Sequence, residues 1–160
     1  MGTSTVRATP TQLIESLRVQ ELQASDFAGL IELVTRPQLS YLCVAPGHLR
    51  RSATPDGIDW TQGTIVAANA NGVIGFALVE RGRDSKTGQL TMAVDPAWAR
   101  GPAPAKLVEE AAAFARRLGM ETMETQVCRQ TSLGLFQDAG LRTLSSMSAG
   151  GVTDVALSVA

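Results

Sequence analysis

The chain has 160 residues, 44% of them hydrophobic and 18% charged, with a formal net charge of −1. That length suits one domain with one core, and that composition suits folding over disorder. The near-zero charge argues against an electrostatic grip on nucleic acid or an anionic membrane, and no apolar run approaches the roughly 20 residues of a membrane-spanning helix.

Residues 1–7 are small and polar, without the apolar core of a signal peptide. Val6 stands where a myristoylation motif requires Ser or Thr, so a cytoplasmic protein is expected. Residues 1–16 read as an N-terminal extension with a short helix: Thr9 caps, Pro10 suits the first helical position and Gln12 completes a capping box. Residues 17–160 read as a single domain. Residues 17–22 alternate apolar and polar side chains, a strand pattern. Ser25 and Asp26 then cap a helix with Phe27, Leu30, Ile31 and Val34 at helical spacing, and Arg36-Pro37 ends it. Residues 37–62 hold Pro37, Pro46, Gly47, Pro55 and Gly57, and read as a long loop with at most one short helix.

Three consecutive antiparallel strands follow, at 64–69, 73–80 and 89–94. Asn69-Ala70-Asn71-Gly72 supplies the first turn, because Asn and Gly tolerate positive φ. Asp95-Pro96 breaks the third strand. Residues 103–118 form the clearest helix, with Leu107, Ala111, Phe114, Ala115 and Leu118 on one face. Glu109 and Glu110 lie early and Arg116 and Arg117 late, as the helix dipole favours, and Gly119 stops it. A strand at 122–127, a short helix at 131–139 ended by Gly140, and strands at 141–147 and 153–159 across an Ala149-Gly150-Gly151 turn complete the chain. The order of strands and helices predicts an α/β (α+β) fold with a mixed sheet.

The chemistry-bearing residues are few. Cys43 and Cys128 lack CxxC spacing, and His48 is the only histidine, which argues against a zinc site and against a Ser-His-Asp triad. Tyr41, His48 and Trp60 fall in the 37–62 segment and are candidates for lining a substrate pocket; simple packing is an equal alternative for each.

Residues 90–101, Leu-Thr-Met-Ala-Val-Asp-Pro-Ala-Trp-Ala-Arg-Gly, resemble a strand and turn of the GCN5-related N-acetyltransferases (GNAT), where an apolar strand is followed by V-x-P-x-x-R-G. The helix at 103–118 is similar to that family's acetyl-CoA helix. Residues 133–141, Leu-Gly-Leu-Phe-Gln-Asp-Ala-Gly-Leu, resemble its A-x-x-L-Y/F-x-x-x-G-F element. The ordered series spans residues 17–160 and implies a central, mostly antiparallel mixed sheet flanked by helices. It also implies an acyltransferase that moves an acetyl group from acetyl-CoA to a small amine, and a homodimer.

By that resemblance Arg100, Gly101, Ala103, Ala105 and Lys106 would hold the CoA diphosphate at a helix N-terminus, where orphan N–H groups and a positive dipole end face an anion. A backbone N–H in Met92, Ala93 or Val94 would face the thioester carbonyl. The sequence departs from the family in two places. Ala103 replaces a glycine, and Pro102 and Pro104 each delete a backbone donor. Phe136 replaces the tyrosine that usually serves as proton donor and has no proton to give. Cys128, Ser132 or water would then be the acid, and Glu124 or Glu80 the general base. An alternative stays open: a GNAT-like protein that no longer binds CoA and serves as a different small-molecule enzyme or as a binding module.

Overall fold

The computed structural model describes residues 17–45, 63–82, 84–128, 133–150 and 152–159. The expected helix at 10–16 and the side chains of His48, Trp60 and Ser132 lie outside them. The elements are β1 (Arg18–Glu21), α1 (Phe27–Val34), β2 (Ser40–Val44), β3 (Thr64–Asn69), β4 (Gly72–Arg81), β5 (Thr87–Val94), α2 (Ala103–Arg117), β6 (Thr122–Val127), α3 (Gly134–Asp138), β7 (Arg142–Ala149) and β8 (Val152–Ser158). The strands form one sheet in the order β1-β3-β4-β5-β2-β6-β8-β7, and β5 also pairs with β6. Every pairing is antiparallel except β5 with β6.

Alternation along the central strands divides the core between the two faces, because successive strand side chains point to opposite sides. Ile65, Ala67, Ala77, Val79, Leu90 and Met92 pack with Leu107, Ala111 and Phe136 of α2 and α3. Val66, Ala68, Phe76, Leu78 and Ala93 pack with Leu30 and Leu33 of α1. Helix α1 therefore covers one face, and α2 and α3 the other. Gly75 lets α2 lie close to the sheet: a Cβ there would sit 2.8 Å from Val94 Cγ1 and 3.2 Å from Leu107 Cδ1.

Most expected elements are present within one or two residues of their predicted bounds. Three details differ. The entry to α1 is locked a turn early, where the buried Asp26 accepts from the Gln23 N–H at 3.1 Å and from Arg18 at 3.3 Å. On α2 the buried face runs through Leu107, Val108, Ala111, Ala112 and Ala115, whereas Leu118 is exposed and Arg117 lies over the half-buried Phe114 ring at 5.7 Å. Alanines let the helix close on the sheet, Phe114 packs against that core from its margin, and Leu118 lies outside it.

The third difference bears on function. Residues 37–62 are not uniformly loop: Ser40–Val44 is a strand, and it enters the middle of the sheet. The five residues Ser-Tyr-Leu-Cys-Val include β-branched, aromatic and aliphatic side chains suited to a strand, and pairing with β5 and β6 on both sides outweighs the turn signals around them.

Candidate functional site

Strands β5 and β6 run parallel and are paired only at their beginnings, where Thr87, Gly88 and Gln89 register with Thr122, Met123 and Glu124. Beyond that point the two backbones diverge into a fork. At its base the Thr125 hydroxyl donates to the Leu90 carbonyl at 2.7 Å, a side chain bridging the gap between the two strands. A fork of this kind leaves two strand edges with backbone donors and acceptors that require partners.

Strand β2 supplies them. Ser40, Tyr41 and Cys43 register with Val94, Ala93 and Met92 on one side, and Cys43 and Val44 with Val127 and Gln126 on the other. A bulge separates Tyr41 from Cys43. The strand is held at its end by the Ala45 N–H, which donates to the buried Thr91 hydroxyl at 2.9 Å, and the Cys128 N–H donates to the Leu42 carbonyl at 3.2 Å. Cys43 is completely buried, which pushes its thiol up to about 12 despite the Thr125 hydroxyl beside it. Cys128 is partly buried, and burial raises its thiol too, so both are protonated at neutral pH. Tyr41 is half-buried edge-on to Phe76, with ring centroids 6.4 Å apart at 84°, and burial raises its hydroxyl.

The N-terminus of α2 follows the end of β5 through a short turn. Asp95 fixes that turn: its carboxylate accepts from the Ala97 N–H at 2.9 Å and from Arg36 at 2.6 Å. The Gly101 N–H is used by the Trp98 carbonyl and the Lys106 N–H by the Pro102 carbonyl, both at 3.2 Å. Pro102 and Pro104 have none to offer. Among the described residues, the N–H groups of Ala103 and Ala105 remain without a backbone acceptor. Arg100 and Lys106 are exposed beside them. Ala103 is only 1% exposed, so the half-buried Ala105 amide, a dipole end and two cations are what this terminus offers a diphosphate, a smaller cradle than four amides would make. At the fork the fit is different: the β5 edge at Met92, Ala93 and Val94 is taken by β2.

Glu80, Gln89 and Glu124 stand in one row across β4, β5 and β6 by register, on the face that α1 covers farther along the sheet. Two strand spacings separate the carboxylates' backbones, about 9–10 Å. Glu124 also lines a cavity of about 400 Å³ with Thr125, Gln126, Ser145, Met147 and Asp154. Gln126 pairs with β2, so cavity and fork adjoin. Tyr41 is not among the residues lining it. A second cavity of about 350 Å³ has Arg36 and Asp95 as its charged lining, and these two are paired with each other. Phe136 is fully buried in the α2-side core, a packing residue. Thr91, Thr125, Gln126 and Asp154 were not singled out from the sequence. Thr91 and Thr125 sit at alternating positions of ordinary strands, and only the long-range pairing brings them together.

Among the described residues no helix is long and apolar enough to cross a membrane, and no three His, Cys, Asp or Glu residues are grouped to hold a metal. No protein-family model matches the sequence, and no curated protein does. Solved structures do match. A GCN5-related N-acetyltransferase from Kribbella flavida is 20% identical, with 91% of this chain and 98% of that one covered at a TM-score of 0.58. A GNAT-family acetyltransferase from Streptococcus pneumoniae is 14% identical, with 89% and 97% covered at 0.61. A GNAT-superfamily phosphinothricin acetyltransferase from Sinorhizobium meliloti, solved with acetyl-CoA, is 18% identical, with 89% and 87% covered at 0.58. This chain has the GCN5-related N-acetyltransferase fold.

Proposed function

We propose that this protein is a cytoplasmic acyl-CoA-dependent N-acyltransferase that moves an acetyl group to a small amine. The observation that carries the reading is the juxtaposition of three parts along one stretch of chain. These are the β5–β6 fork, the α2 N-terminus with the Ala105 amide beside Arg100 and Lys106, and the adjoining cavity lined by Glu124 and Asp154. Fold alone does not carry an activity.

In this reading the α2 terminus holds the diphosphate of the donor, and bound acetyl-CoA supplies an activated thioester. A β5 N–H among Met92, Ala93 and Val94 polarises the carbonyl once that edge is exposed. The cavity has two carboxylates and no cationic lining residue, so it favours a protonated amine over an anion. Glu124 accepts the proton that the ammonium group must lose before its nitrogen has a lone pair, with Glu80 as the alternative base across the row. Cys128, a protonated thiol, returns a proton to the departing thiolate. Much of the rate then comes from holding amine and carbonyl together. Incubation with acetyl-CoA and a panel of small amines tests the reading: amine-dependent release of free thiol is expected, and release no faster than hydrolysis with every amine contradicts it.

A second reading has specific support. With the β5 edge filled by β2, two amides lost to Pro102 and Pro104, and Phe136 buried, the same fold serves as a binding protein or another small-molecule enzyme without CoA. Absence of CoA binding in every form of the protein would select it. A homodimer belongs to the proposal through β7, an edge strand whose Leu144 and Met147 are 49% and 74% exposed. Sedimentation that gives a monomer at all concentrations would remove it.

A further inference from the structure

We propose that β2 is a built-in competitor for the acyl donor: Ser40–Val44 closes the fork by pairing with β5 and β6, and it must withdraw before the donor can lie there. The proposal rests on the transferase reading above and adds a regulatory step to it. Its basis is that one backbone edge is assigned two partners. Met92, Ala93 and Val94 are the positions that would face a bound thioester, and they are the positions with which Cys43, Tyr41 and Ser40 register. The pantetheine arm of CoA is an extended chain with two secondary amides, so it makes the same kind of hydrogen bonds as a peptide strand. The two occupants are therefore mutually exclusive.

Strand β2 is also the central strand with the least to hold it. It registers with β5 at three positions and with β6 at two, whereas β4 and β5 register at seven. Its ladder is broken by a bulge. Of its residues only Cys43 is fully buried, while every residue of β5 except Gln89 is buried. Few buried contacts and a short ladder put a segment at the low end of local opening free energies. What holds it is side-chain chemistry at the base of the fork: Thr91 accepts from the Ala45 N–H at 2.9 Å, and Thr125 reaches the Val44 carbonyl at 3.4 Å. These two threonines form a latch. Thr91→Val keeps the shape of the side chain and removes its acceptor, so it weakens the closed state without emptying the core.

The register also supplies a lock. Cys43 stands opposite Val127, and opposed residues of an antiparallel pair have Cα atoms about 4.5–5.5 Å apart, within the span a disulfide bridges. Val127→Cys, made together with Cys128→Ala so that one bridge alone forms, fixes β2 in the fork when oxidised with a small-molecule disulfide and frees it when reduced. Calorimetry with coenzyme A on the full chain then reads the proposal. The reduced protein is expected to bind CoA and the oxidised one at least about tenfold more weakly, with reductant restoring binding; Thr91→Val is expected to bind more tightly than the parent. Equal affinity in the oxidised and reduced forms overturns the competitor role and leaves the transferase reading standing. No binding in any form, Thr91→Val included, ends the transferase reading and this proposal with it. If the double variant does not fold, amide hydrogen exchange of residues 41–44 in the parent decides: faster exchange on CoA binding is expected, and unchanged protection in the CoA-bound protein overturns the proposal.

Discussion

At Cys43, complete burial between β5 and β6 pushes the thiol up to about 12, from an ordinary value of 9.0. A group whose folded value lies above its unfolded one stabilises fully below the unfolded value and loses that contribution as pH rises toward the folded one. The window is therefore about pH 9 to 12. Urea unfolding of the wild type and of Cys43→Ala should show a constant stability difference from pH 6 to 8 and a narrowing one above pH 9; a difference that stays constant to pH 10.5 contradicts the burial assigned here. Pro102 and Pro104 make the other residue-level prediction. Changing both to Ala restores two amides at the start of α2, and a hydrogen bond to a charged group contributes about 1.5–3 kcal/mol. CoA affinity should rise by about tenfold or more, and an unchanged Kd would mean that the α2 terminus does not face the diphosphate.

Among the elements, the turn from β5 to α2 depends on Asp95, which caps the turn at Ala97 and pairs with Arg36 of the α1–β2 connection. Both groups keep some exposure, so the ion pair is screened and the cap contributes the larger part. Asp95→Ala should cost about 1–2 kcal/mol in chemical denaturation, and a loss below a few tenths would show that the turn holds without it. The elements also differ in how far local sequence revealed them. Strands β3 and β4 were legible because apolar runs, the first rich in Ile, Val and Ala, flank a turn rich in Asn and Gly, and α2 because its apolar spacing ends at a glycine with φ of +84°. Strand β2 was not, since five strand-forming residues between Pro37 and Pro46 look like a loop interruption. Nothing within them tells that their partners lie at 92–94 and 126–127. Neither the fork nor its occupant has a local signal, because register is a long-range property.

For the whole molecule, the sheet holds a peptide strand of the same chain along the edge of β5, the edge that the proposal gives to the amide-bearing arm of an acyl donor. The altered helix start and the phenylalanine at 136 are legible departures in the sequence, and the filled fork adds a third that only the folded chain displays. If the donor site survives these changes, binding must stabilise the folded form. Thermal and urea unfolding with and without acetyl-CoA test this most directly. At a ligand concentration 100 times the dissociation constant, a stabilisation of about 2.7 kcal/mol is predicted. An unfolding transition that does not move at any acetyl-CoA concentration would contradict it.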